Sequence, residues 1–146
     1  MKTVALRFGE HFAPNCGTIA AHQEIIDDIG HVWYGKLGNA VSEKVKQDIM
    51  ANNNPRILLI NSGKTDRYWA HISEIQREIP NSEEIPAYYR HMANDFKTWF
   101  KISAFESAPR DVMSKCVVAS SRGPLTEVSK HSMSPYFIIE YTESRE

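Results

Sequence analysis

The run Arg56-Ile57-Leu58-Leu59-Ile60 constrains this chain most. Consecutive apolar residues bounded by Pro55 on one side and Asn61-Ser62-Gly63-Lys64-Thr65-Asp66 on the other read as a buried strand followed by a turn. Arg67 to Glu78 then alternates, with Tyr68, Ala70 and Ile72 on one side and Trp69, His71 and Ser73 on the other. The two segments predict a hairpin at the centre of a sheet.

Further strands are expected around it. Lys2 to Phe8 alternates, His31 to Leu37 is rich in Val32, Trp33 and Tyr34, and Thr98 to Phe105 sets Phe100 and Ile102 against Trp99 and Lys101. Tyr136 to Tyr141 closes the chain, and Val117 to Ala119 is a short candidate. Gly35 and Gly38 predict a bulge or a close backbone approach. Thr18 caps a helix to about Ile29, stopped by Gly30, and Ser42 caps another to about Met50. Ala87 to Lys97 is a short helix or irregular turn, and Pro124 to Lys130 a further short helix. Strands do not alternate with long helices, which argues against a doubly wound parallel sheet. The expected class is α+β: one domain over residues 1–146, a small curved, mainly antiparallel β-barrel of five or six strands with flanking helices.

With 42% hydrophobic and 24% charged residues, the chain can build one core. No stretch reaches the roughly 20 apolar residues of a membrane span. The apolar run near Met1 is too short for a signal peptide, so a cytoplasmic location is expected. Cys16 and Cys116 lie far apart and predict two ordinary buried or half-buried thiols. A net charge of −1 disfavours indiscriminate coating of nucleic acid but leaves recognition of a single nucleotide open.

Catalytic motifs are incomplete. Gly63-Lys64-Thr65 follows a strand as a P-loop ending does, yet Leu58 stands where the earlier glycine belongs, and a strand rather than a helix follows. His71-Ile72-Ser73 and His131-Ser132-Met133 echo the paired His-x-Ser/Thr motifs of two-histidine phosphoesterases, but Met133 replaces a required hydroxyl. The six histidines show no close pairing of the zinc-site kind, and His22 on an apolar helix face reads as a hydrogen-bonded core residue. No Gly-x-Ser-x-Gly elbow is present. No metal and no cofactor are expected.

The aromatic residues are more informative. Trp33, Tyr34, Trp69, Tyr88, Tyr89, Trp99 and Phe100 fall in strands or loops, and alternation cannot bury all of them on one face. Trp69 and Trp99 share their sides with polar residues, a setting that suits a planar guest stacked on a ring. Packing beneath the inserted helices is the alternative for each.

Gly17-Thr18-Ile19 with His22, Gly30-His31-Val32-Trp33-Tyr34-Gly35-Lys36, Ile57-Leu58-Leu59-Ile60, Tyr68-Trp69-Ala70-His71-Ile72 and Ser132-Met133-Ser134-Pro135-Tyr136-Phe137-Ile138-Ile139 together resemble the EVE-like domains of the PUA superfamily, relatives of YTH domains. The resemblance spans most of the chain. It implies a pseudo-barrel with flanking helices that takes a flipped, modified base of DNA or RNA into an aromatic cage, without cofactor or chemistry. It also implies a role as specificity module in bacterial or phage defence, working with an effector protein. By position, Trp33, Trp69 and Trp99 would form the cage, Ser120, Ser121 and Ser134 would supply edge contacts, and Lys36, Lys64 and Arg122 would meet phosphates. A free nucleotide as ligand, a two-histidine phosphoesterase and a protein-interaction regulator are the alternatives.

Overall fold

The computed structural model describes residues 1–62 and 64–142. Seven strands make one mixed sheet: β1 (Lys2–Phe8), β2 (Val32–Lys36), β3 (Arg56–Asn61), β4 (Arg67–Gln76), β5 (Thr98–Ser107), β6 (Cys116–Val118) and β7 (Tyr136–Tyr141). Their order is β2-β5-β4-β3-β1-β7-β6. β1 and β3 run parallel, and the remaining neighbours are antiparallel. Three α-helices, α1 (Thr18–Ile29), α2 (Glu43–Met50) and α3 (Leu125–Lys130), and several 3-10 turns fill the connections.

The α+β class and the mainly antiparallel pairing agree with expectation. Strand number and closure do not. The sheet has seven strands instead of five or six, because the short segment at Cys116–Val118 pairs with β7. It is not closed into a barrel. Its edge strands are β2 and β6, which do not pair with each other, and β1 has both of its own edges taken, by β3 and by β7. A strand has two hydrogen-bonding edges and no more.

Burial follows the alternation. Val4, Leu6 and Phe8 of β1, Ile57 and Leu59 of β3, Ala70 and Ile72 of β4 and Phe100 and Ile102 of β5 form one core, against which Ile19, Ile25 and Ile26 of α1 and Val45 and Ile49 of α2 pack. Register shifts around Ile72 let Ile75 rejoin that face. The opposite face of β1 and β3 buries Ala5, Leu58 and Ile60 against Phe137, Ile139 and Tyr141 of β7 and Leu125 of α3. β3 is thus buried on both faces, as its unbroken apolar run requires.

The helix ends show why the chain turns where it does. Gly30 adopts φ 91°, the left-handed geometry that closes α1, and its N–H donates to the Ile26 carbonyl at 2.7 Å. At the other end Thr18 is the first helical residue and not the cap. Its N–H donates to Glu10 Oε1 at 3.0 Å, so the loop carboxylate does the capping. Ser42 caps α2 as expected, accepting the Val45 N–H at 3.2 Å.

Candidate functional site

The unclosed edge creates the site. The last residues of β2 (Tyr34 to Lys36) and the end of β1 (Leu6 to Phe8) do not pair but line a common cleft of about 300 Å³, the seam between them. Its volume is at the small end of the roughly 300–1,000 Å³ typical of ligand sites. Rings from four separate segments line it: Phe12 from the loop after β1, Tyr34 from β2, Tyr88, Tyr89 and Phe96 from the turn region before β5, and Tyr136 from β7. Arg7 and Lys36 are its cations.

Each wall has a local cause. Tyr34 lies opposite Trp33 in the β2 alternation, which sends its ring to the core side of the seam. Gly35 permits the close approach that its type foretold: a Cβ there would stand 2.5 Å from the Phe96 ring. Phe96 in turn packs on Tyr89, with ring centroids 4.6 Å apart, and Tyr89 meets Tyr88 edge-on at 4.9 Å. The Lys36 ammonium lies 4.4 Å from the Tyr136 ring centre and donates to the carbonyls of Leu37 and Asn39 at 3.1 and 2.7 Å. That arrangement ties β2 to β7 across the gap. Phe12 is 66% exposed, so its ring stands at the mouth of the cleft.

The aromatic walls of the cleft are uncharged, and its charge comes from Arg7 and Lys36. Burial holds the phenols of Tyr34, Tyr88, Tyr89 and Tyr136 above their ordinary range, so each stays neutral and able to donate at physiological pH. Burial also lowers the Lys36 ammonium. Behind the wall sits His22, fully buried, its ring 5.2 Å from that of Tyr34 and 5.1 Å from that of Tyr89. Its Nδ1 donates to the Thr18 carbonyl at 2.8 Å, and desolvation pushes its pKa down to about 4. It is a neutral core histidine.

The residues expected from sequence are dispersed. Trp33 and Trp99 are buried together with Ile85, Ala93 and Phe96. Trp69 is buried elsewhere, 4.9 Å from Tyr141 and under the Arg56 guanidinium at 4.7 Å. The three indoles do not surround a shared hollow, and none lines the seam cleft. Trp99 reaches it only indirectly, by packing 5.1 Å from Phe96 and 6.0 Å from Tyr89. Lys36 does line the cleft. Ser134 adjoins it, its hydroxyl donating to the Tyr136 carbonyl at 2.8 Å. Ser120, Ser121 and Arg122 lie in an exposed turn after β6, where Arg122 reaches Glu140 at 3.3 Å. Lys64 is exposed in the β3–β4 turn, and Gly63 falls outside the described residues.

Sequence reasoning missed Phe12, Tyr136 and Phe96, and did not place Tyr88 and Tyr89 in the site. The one available signal was the Tyr88-Tyr89 doublet in a segment with no strand or helix period. The two histidines of the phosphoesterase motif are also separated by element. His71 on β4 engages Asn54 and Glu106 through its two ring nitrogens, and His131 is exposed at the end of α3. Cys116 is buried, with its thiol pushed up to about 12, whereas Cys16 is exposed, contrary to expectation. Among the described residues no group of three or more His, Cys, Asp or Glu side chains is placed to hold a metal. No helix among them is long and apolar enough to cross a membrane.

A mixed sheet with an open seam and an aromatic cleft in that seam is compatible with a ligand-binding module. The family model described as Pua-like matches residues 4–140, and the chain belongs to that family. Membership points to the nucleic-acid-binding class of such modules. No curated protein and no solved structure gives a significant match.

Proposed function

We propose that this chain is a non-catalytic reader that takes one nucleobase of DNA or RNA, preferentially a modified one, into the seam between β1 and β2. The observation that carries the reading is the cleft itself: neutral rings from four segments around a volume suited to one planar guest. A base stacked on one of these rings gains about 1–3 kcal/mol. A methyl group on the base adds about 0.8 kcal/mol if fully buried, which favours a methylated guest in so apolar a setting. Phe12 and Tyr88 provide accessible ring surface, Tyr136 and Lys36 border the guest, and Ser134 stands beside them. Trp33 and Trp99 support the wall from behind. Phosphate contacts fall to Arg7 and Lys36, with Lys64 and Arg122 able to meet a longer strand. The base is read out of the helix, because a stacked base cannot enter a recess of this kind. Partnership with an effector protein in a defence system is part of the same reading and would supply whatever follows binding.

Fluorescence anisotropy with labelled oligonucleotides, matched with and without a methylated base, tests the proposal. Saturable binding that favours the methylated strand and drops about tenfold or more in Tyr88→Ala is expected. Equal, weak association with every strand, unchanged in Tyr88→Ala, would remove it.

A further inference from the structure

On the other side of the Phe8–Glu10 segment lies a second recess of about 330 Å³, lined by Phe8, Asn61, Asp66 and Tyr68 and by the start of α1. Asn61 is its distinctive member. The side chain is 7% exposed, and its Oδ1 is buried with no hydrogen-bond partner among the described residues. A buried carboxamide oxygen without a partner has lost its hydration with no hydrogen bond in return, so the position is unfavourable unless something satisfies it. The backbone of Asn61 is fully used: its N–H donates to Asp66 and its carbonyl accepts from Lys64, at 3.1 Å each. The side chain is left over for a guest.

We infer that this recess is a second base subsite, in which the Asn61 carboxamide reads the edge of an adenine next to the base held in the seam. The inference rests on the reading of the chain as a nucleic-acid binder. A carboxamide offers one acceptor and one donor side by side, the complement of adenine N6–H and N7. The surrounding charge points the same way. Asp66 and Glu10 line the recess, and the Tyr68 phenol is raised by burial and then by these two carboxylates. Carboxylates favour the amino group of adenine and repel the carbonyl oxygens of guanine and thymine or uracil. Cytosine has the amino group but lacks N7. The Tyr68 ring, half-buried in the same recess, supplies a face for stacking. The two sites share Phe8, so adjacent nucleotides of one strand can occupy them together.

The test is a set of oligonucleotides carrying the same favoured base, with each of the four bases placed in turn on its 5′ and 3′ sides. The wild-type chain is expected to bind the adenine-flanked strand at least fivefold more tightly than the others. Asn61→Ala should flatten that preference while keeping the discrimination between methylated and unmodified base. Asn61→Asp, which keeps the acceptor and loses the donor, should retain preference for amino-bearing neighbours but no longer separate adenine from cytosine. Context-blind binding by the wild type, or a preference that survives Asn61→Ala, overturns the inference and leaves the seam reading intact. Absence of any nucleic-acid binding removes both. Urea melts of the variants separate lost readout from lost folding.

Discussion

Two groups of aromatic side chains behave oppositely in this molecule. Around Trp33 and Trp99 the rings are sealed: Ile85, Ala93 and Phe96 cover them, and Trp99 is fully buried. Across the seam, Phe12, Tyr88 and Tyr136 carry similar chemistry but keep accessible surface around a cleft. The difference lies in hydrogen-bond topology rather than residue type. Where a neighbouring strand or turn closes over the sheet, rings become core. Where β1 has no edge left for β2, the gap stays open and rings become a binding surface.

The largest expected effect would come from the sealed group. Trp99→Ala should cost about 3–5 kcal/mol of stability, measured by urea unfolding. Trp99→Phe should cost much less, because the buried indole N–H has no partner among the described residues to lose. If Trp99→Ala instead left stability untouched and abolished binding, the division between the two groups would be broken.

Acid should come next. His22 has a folded-state pKa of about 4, below its ordinary value of 6.5. The neutral ring therefore contributes stability that is complete above about pH 6.5 and is lost as pH falls towards 4. The difference amounts to about 3 kcal/mol. Unfolding free energies across that window should fall, and His22→Leu should flatten the slope. An unchanged slope would show that the histidine is solvated or paired in solution.

Gly35 sharpens the comparison because it joins both groups. Gly35→Ala should cost about 1–3 kcal/mol by pushing on Phe96, and should weaken binding as the cleft wall shifts. The smallest effect on stability belongs to the open group: Phe12→Ala should change it by less than about 0.5 kcal/mol while weakening oligonucleotide binding severalfold. A large stability loss there would mean that the Phe12 ring is packed, not free.

Much of the fold was legible because it rests on local pattern. The boundaries of α1 and β7 follow from period and punctuation, and the β3–β4 hairpin from an apolar run, a turn and an alternation. Gly35 was readable as a close approach because few other roles demand glycine inside a strand. The seam was not legible. Its existence depends on β1 pairing with β3 and β7, contacts far apart in sequence that no local window contains. Alternation also separates the two faces of a strand without saying which one is covered. It put Trp69 and Trp99 on half-polar sides correctly, yet Arg56 with Tyr141 covers one and the turn region before β5 covers the other. Phe12 sits in the loop after β1, outside any periodic segment, and Tyr136 opens β7, where the pattern marks a strand without saying what its first ring will face.

Chemical-shift mapping by NMR with a methylated-base oligonucleotide bears most directly on the central claim. Perturbations should concentrate on the ring protons of Phe12, Tyr34, Tyr88 and Tyr136, with the indole N–H of Trp69 unmoved. Shifts centred on Trp69 and Tyr141, with the seam silent, would contradict the account.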